Sequence, residues 1–399
     1  MLGRLTAKAL LTSVIAAMAA IVVLVLGLSA WRSWQRLATA KRIEIVAEAS
    51  ADAFTAFGNL RTDRDITVRD LRALAAIGAD DRTQLQKARE AEMPALRSAA
   101  ALLASVDFAE RQHLLPSLQK SIATLERLHG AADAALAQPA ADRPRELPKQ
   151  YMAELTTLLD TLGTISARLT SAIKNNDAFI DEMMEMKELA WKVRDTAGDA
   201  SLVLFNGFAI GRLLPDMAAQ FETSVAVSES LWGTLEQLGF GTALPPNVVA
   251  AIDTAKRDYF GQTYVAARDK LLQALEAGEQ PPMDAAQWAP YTASRLETLE
   301  RVAEAALDAA RAHAAAERRA ARIELGIQLA LFVFALALMS IALLAIGRRV
   351  ITPLHKIRDA MLRVAGGDLS VEVGFADRRD EIGALSGALA TFKQNAVEK

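Results

Sequence analysis

The 399-residue chain has no cysteine, which removes disulfides, thiolate metal sites and iron–sulfur clusters. Its four histidines, His113, His129, His313 and His355, are far apart and form no HExxH pattern, so no metal centre is expected. Aromatic residues make up only 6% of a chain that is 52% hydrophobic. The apolar content is therefore largely alanine and leucine, which suit helices better than strands. No stretch shows the β-branched alternation of a strand, and nothing repeats at a fixed period of about 20–50 residues. Excess charge of one sign is also missing: Lys+Arg 45 against Asp+Glu 48 leaves a formal net charge of -3. That balance argues against nucleic acid as a partner.

Two long runs carry no charge at all. The first covers residues 9–30, about 33 Å as a helix and enough for a hydrocarbon core of roughly 30 Å. Arg4 and Lys8 precede it, and Trp31 and Trp34 follow at the level where aromatics favour the interface. Its length exceeds an ordinary signal-peptide core, so it reads as an uncleaved anchor. The second run covers residues 325–347 and is closed by Arg348 and Arg349, with Lys356 and Arg358 shortly after. Such a basic cluster marks the cytoplasmic side. Two spans then place residues 1–8 and 348–399 in the cytoplasm and residues 31–324 across the membrane.

Proline is absent between Met1 and Pro94, between Pro148 and Pro215, and between Pro290 and Pro353. Proline breaks helix interiors, so these gaps admit long helices. Breaks are expected at residues 78–81, 139–148, 213–215, 239–246 and 278–282. In the second gap, apolar or small residues alternate three and four apart from Leu155 through Leu158, Leu162, Ile165, Leu169 and Ala172, then Phe179, Met183, Met186, Ala190, Val193, Ala197, Ala200 and Leu204. Asn176 is the one polar member of this seam, fixing register or marking the level where two bundles meet. The first long helix offers two phases, one through Val46, Ser50, Ala53, Phe57 and Leu60, the other through Phe54, Phe57, Arg61 and Val68. Residues 31–324 are therefore expected to form two elongated, stacked four-helix modules.

Arg64 lies on the seam in both phases, and its i±3 and i±4 neighbours include no acid. A guanidinium on a seam is costly unless an anion meets it. Arg61 shares that face and has Asp65 at i+4, so the two could fork a carboxylate. Arg194, three residues after Trp191, is a second candidate. An interhelical ion pair or a snorkelling side chain explains the same positions without a ligand. Met183, Met184 and Met186 read as core rather than a soft-metal site. No nucleophile–base constellation stands out, so neither catalysis nor a cofactor is expected.

After Pro353 a short helix has the seam Leu354, Ile357, Met361, Val364, and a second has Ile382, Leu385, Leu389, Phe392, Ala396. One chain cannot bury both seams, whereas two chains can do so as a parallel four-helix coiled coil, which predicts a homodimer. The proline after the span, "GGDLS" and "DEIGALSGAL" resemble a HAMP domain over residues 348–399. That resemblance implies signal relay through Pro353, Gly367, Asp368, Leu369, Asp380, Glu381, Ile382 and Gly383. Residues 31–324 are similar to the helical bimodular sensor domains of methyl-accepting chemotaxis proteins, in which arginines of the first long helix bind organic acids. Arg61 and Arg64 sit at matching places in "FGNLRTDRD". The chain ends without methylation helices or a catalytic domain, so contact with downstream signalling proteins is expected only through an output module not present in it. The expected protein is an all-α transmembrane receptor of the bacterial inner membrane with a periplasmic sensor and both termini cytoplasmic. The input half of a sensor kinase, or a structural membrane coiled coil, are the alternatives.

Overall fold

The computed structural model describes residues 7–73, 77–239, 243–372 and 374–397. Arg4 lies outside the described residues. Every regular element among those described is a helix, as composition predicts. The chain divides into two compact units, Ala38–Arg319 and the remaining residues on either side of it.

The unit Ala38–Arg319 holds two groups of antiparallel helices. The first comprises the latter part of α1 (Ala7–Arg72) with α2 (Ala79–Leu103), α3 (Arg111–Leu136) and α4 (Leu147–Ile173). The second comprises α5 (Ala178–Ile210), α6 (Pro215–Leu238), the short α7 (Pro246–Asp258) and α8 (Gln262–Ala277), and the start of α9 (Ala285–Ile346). Within the first group Arg89 of α2 meets Asp63 of α1, Arg97 meets Glu126 of α3, and Tyr151 of α4 reaches Asp63. Within the second, Trp232 of α6 stacks on Phe260, and Tyr264 of α8 bonds Thr292 of α9 at 2.7 Å.

The seam residues predicted for the second proline gap are buried: Leu155, Leu158, Leu162, Ile165, Leu169, then Met183, Met186, Ala190, Val193, Ala197, Ala200 and Leu204. They do not share one helix. The chain reverses at Lys174–Asp177, where Asn175 takes a left-handed conformation and Asp177 caps α5 by accepting from the Phe179 and Ile180 amides. Asparagine tolerates that backbone and aspartate is a preferred N-cap. α5 therefore runs back along α4, with Lys187 bonding Ser166 at 2.7 Å.

The two groups of helices meet at α1. α1 is their common wall: Asp63 faces α2, α3 and α4, while Arg61, two residues earlier, meets Asp195 of α5. Both proposed phases of α1 are used, since Val46, Ser50 and Leu60 are buried together with Phe54 and Val68. α1 ends where Arg143 donates to the Asp70 and Ala73 carbonyls at 2.8 Å each. The Asp70 carbonyl also accepts the Ala73 amide at 3.3 Å, and the arginine adds a side-chain cap to this helix end.

In the other unit, α1 and α9 each contain a stretch long and apolar enough to cross a membrane, and almost none of either is covered by the rest of the chain. A Cβ on Gly27 would lie 3.8 Å from the Phe332 ring, so the helices run side by side there. Ser33 donates to Glu324 at 3.0 Å, and Arg36 pairs with the same carboxylate at 3.3 Å. A π-helical turn, Gly347–Ile351, leads from α9 into α10 (Thr352–Ala365), and α11 (Glu381–Val397) follows a connector. Ile357, Ala360, Val371, Ile382 and Leu389 form the small core between them.

Candidate functional site

Seven residues of three helices converge at the meeting of α1, α5 and α9. Trp191 of α5 stands edge-on to Phe54 and Phe57 of α1, with ring centroids 5.1 and 4.6 Å apart. The Arg61 guanidinium lies over Phe57 (5.0 Å) and Trp191 (4.8 Å) and pairs with Asp195 at 2.6 Å. The aromatic faces attract the cation and hold its plane. Arg194 approaches Glu300 of α9 only to 3.9 Å. The Nε atoms of both arginines are buried without a hydrogen-bond partner. These are two under-used planar donors, the arrangement suited to a bidentate carboxylate.

Glycine makes the room. A Cβ at Gly58 would stand 2.4 Å from Glu300 Oε1, and one at Gly198 would stand 3.0 Å from Arg194 Nη1. Burial and the nearby Arg61 hold Arg194 below the usual arginine value, against the pull of Glu300. Burial raises Glu300 above the ordinary carboxylate value, with Arg194 only partly offsetting it. Both ions are thus poorly satisfied. A cavity of about 60 Å³ adjoins the aromatic trio, lined also by Leu162, Gly163, Ser166 and Lys187. A water needs roughly 10–15 Å³ of such space, so a small molecule fits.

The structure brings Arg61 and Arg194 together, while Arg64 stands apart from that pairing. The expectation of an unpaired Arg64 is corrected: its Nε bonds Asp65 at 3.1 Å, an i+1 contact outside the i±3 and i±4 positions considered. Asp65 is thereby taken from Arg61, which reaches across to α5 instead. Sequence reasoning also missed a buried polar group on α1–α4: Asp63, Glu92 and His129, with Arg89 and Tyr151. Glu92 follows Leu85 and Ala88 in the buried stripe of α2, and His129 follows Leu118, Ile122 and Leu125 in that of α3. Polar residues at seam spacing were the signal available.

Residues 345–398 match the model of the HAMP domain. The C-terminal segment is a HAMP domain. A 75-residue stretch is 40% identical to a "probable chemoreceptor" of Sinorhizobium fredii, which amounts to 19% of this chain and 9% of that protein. The chain thus matches less than a tenth of that relative's length. No solved structure matches it. With two helices able to cross a membrane, these similarities support a transmembrane signal transducer.

The HAMP geometry gives its motif residues physical tasks. Pro353 removes an amide and crowds the carbonyl four residues back, that of Arg349. Arg378 of the connector donates to that carbonyl at 3.0 Å. Gly367 has φ +94, and Asp368 beside it accepts from Ser370 and pairs with Arg363. Those bonds hold the Asp368 carboxyl down to about 2. Leu369 is half-buried and Glu381 exposed. Asp380 caps α11 at the Gly383 amide (3.2 Å), and Arg378 holds its carboxyl below the usual range. A Cβ at Gly383 would fall 1.9 Å from the Arg378 carbonyl. Ile382 is buried in the HAMP core.

Proposed function

We propose that this chain is a dimeric chemoreceptor-type transducer of the bacterial inner membrane that senses a small organic acid anion in the periplasm. The observation that carries the reading is the pair Arg61 and Arg194, two half-buried guanidinium groups with unbonded Nε atoms beside an aromatic-walled cavity. Asp195 and Glu300 occupy the arginines until a ligand carboxylate competes for them. Glu300 lies on α9, the helix that runs on through residues 325–347 to the HAMP domain. Exchange of Glu300 for a ligand carboxylate changes what α9 is held by. A ligand shifts an equilibrium only by its differential affinity for the two states, and helical bundles tend to have two.

Orientation follows from Arg348 and Arg349 behind the second apolar run, which favour a cytoplasmic HAMP domain. Leu354, Met361, Leu385 and Phe392 support the dimer, because half of each seam remains exposed in one chain. The mechanism uses binding and displacement alone, without bond chemistry or a cofactor.

Calorimetry on the full chain in detergent tests the site, using acetate, succinate and citrate, with succinamide as the uncharged control. At least one acid should bind and the diamide should not. Arg61→Ala or Arg194→Ala should weaken binding by at least about tenfold, the loss expected for one charged hydrogen-bonding partner. Arg64→Ala should have the smaller effect. Equal binding of acid and diamide, or full affinity in both alanine variants, would sink the reading.

A further inference from the structure

A second polar group lies inside the α1–α4 bundle, apart from the arginine cluster. Asp63 of α1 and Glu92 of α2 have no exposed side-chain surface, and His129 of α3 is 13% exposed. Their donor atoms all fall within 4.8 Å of one another. His129 Nε2 is 3.1 Å from Asp63 Oδ2 and also 3.1 Å from Glu92 Oε1. One ring nitrogen offers a single hydrogen or a single lone pair. Its hydrogen bond is with Asp63, which leaves both oxygens of the fully buried Glu92 without a hydrogen bond. A buried carboxylate in that state is expensive. Two carboxylate oxygens flanking one imidazole nitrogen at this distance is, however, the outline of a coordination sphere. Ligand atoms about 2.0–2.2 Å from a shared ion stand roughly 3.0–3.5 Å apart.

The surroundings fit such a centre. Asp63 Oδ1 accepts from Thr67 at 2.9 Å and from Arg89 Nε at 3.0 Å, and the Tyr151 hydroxyl donates to Oδ2. Bonds of this kind orient a metal-binding carboxylate. Arg89 also holds Asp133 at 2.6 Å, so its charge is divided between two acids. A divalent ion would balance Asp63 and Glu92 beside a neutral imidazole, leaving Arg89 to Asp133. Imidazole with carboxylates suits zinc-like ions better than magnesium or calcium.

We propose that Asp63, Glu92 and His129 form a binding site for a divalent transition-metal ion of the zinc type, tying α1, α2 and α3 together inside the bundle. The test uses the untagged full chain in detergent, stripped with a chelator and then titrated with zinc chloride near neutral pH. One zinc per chain is expected by elemental analysis, and X-ray absorption should show one imidazole with oxygen neighbours. Glu92→Gln and His129→Gln should each lower zinc affinity by at least about tenfold. Glu90→Gln, exposed on the same helix, should not. No retained zinc, two or more imidazoles around it, or unchanged affinity in Glu92→Gln would each overturn the site and leave a proton-sharing network. Should the variants misfold, metal content and absorption of the parent chain decide alone.

Discussion

Arg61 and Arg194 show why residue identity matters more than charge at the candidate site. A guanidinium laid over Phe57 and Trp191 is planar and weakly hydrated, so lysine cannot replace it there. Arg61→Lys should keep the protein folded and still lose carboxylate binding by about tenfold. Calorimetry beside a circular dichroism melt separates the two effects. Glu300 gives a second residue-scale prediction. Its pKa is raised in the fold, mainly by burial, so the folded state holds this proton more tightly than the unfolded chain does. The associated stability is full below the unfolded value of about 4.5 and is lost as pH rises through the raised folded value. Glu300→Gln has no such titration. Its melting temperature should match the parent near pH 4 and exceed it as pH rises above the unfolded value, levelling off once Glu300 is ionised in the fold as well. A gap that narrows with pH would mean that attraction to Arg194 outweighs the burial.

Elements are decided by a few terminal residues. Asp177 accepts two amides of α5 and also lies 3.0 Å from His313 Nε2. Asp177→Ala should cost about 1–2 kcal/mol, mostly the lost cap, read as a lower melting temperature of the full chain. Gly383→Ala should be worse, because the added methyl meets a backbone carbonyl that cannot swing aside. Limited proteolysis should then cut the 366–380 connector faster. The helical class, the two candidate spans, four of the five breaks at glycine and proline clusters and the HAMP motif were legible in the sequence, whereas the break expected at residues 78–81 falls on the start of α2 at Ala79. The breaks at residues 104–110 and 259–261 were not expected, nor was that at residues 174–177, where the heptad spacing carries over the turn and masks it. "KNND" held the signal, a left-handed asparagine followed by an N-cap aspartate. The site was half legible: Arg61 and Arg194 stood out, but their pairing depends on α5 folding back against α1. Asp63, Glu92 and His129 left only the signal of polar residues at seam spacing, since nothing short-range links residues on three helices.

At the scale of the whole molecule the proposed relay follows one chain path, and the proposed dimer would cover side chains that a single copy leaves exposed. α9 and the turn after it join Glu300 to the HAMP helices without an interrupting loop. Within HAMP, Ile357, Val364, Ile382 and Leu389 are covered, yet Leu354, Met361, Leu385 and Phe392 remain 36%, 53%, 49% and 58% exposed. Covering these eight half-exposed side chains in a pair would contribute roughly 5–10 kcal/mol. Association costs about 4–15 kcal/mol for lost freedom, so the gain is of the right size only if something else confines the chains. Insertion into one bilayer does that. Because the chain has no cysteine, single substitutions report pairing directly. Met361→Cys and Phe392→Cys should form disulfide-linked dimers in membranes, where Cα atoms must come within about 7 Å. Asp359→Cys, exposed but off the seam, should link far more slowly. Adding the acid that binds at Arg61 should change the rate at Met361 relative to Leu354→Cys, since a relay has to alter one packing against another. Equal linking at Met361 and Asp359 would remove the dimeric coiled coil, and with it the route from Glu300 to the far end of the chain.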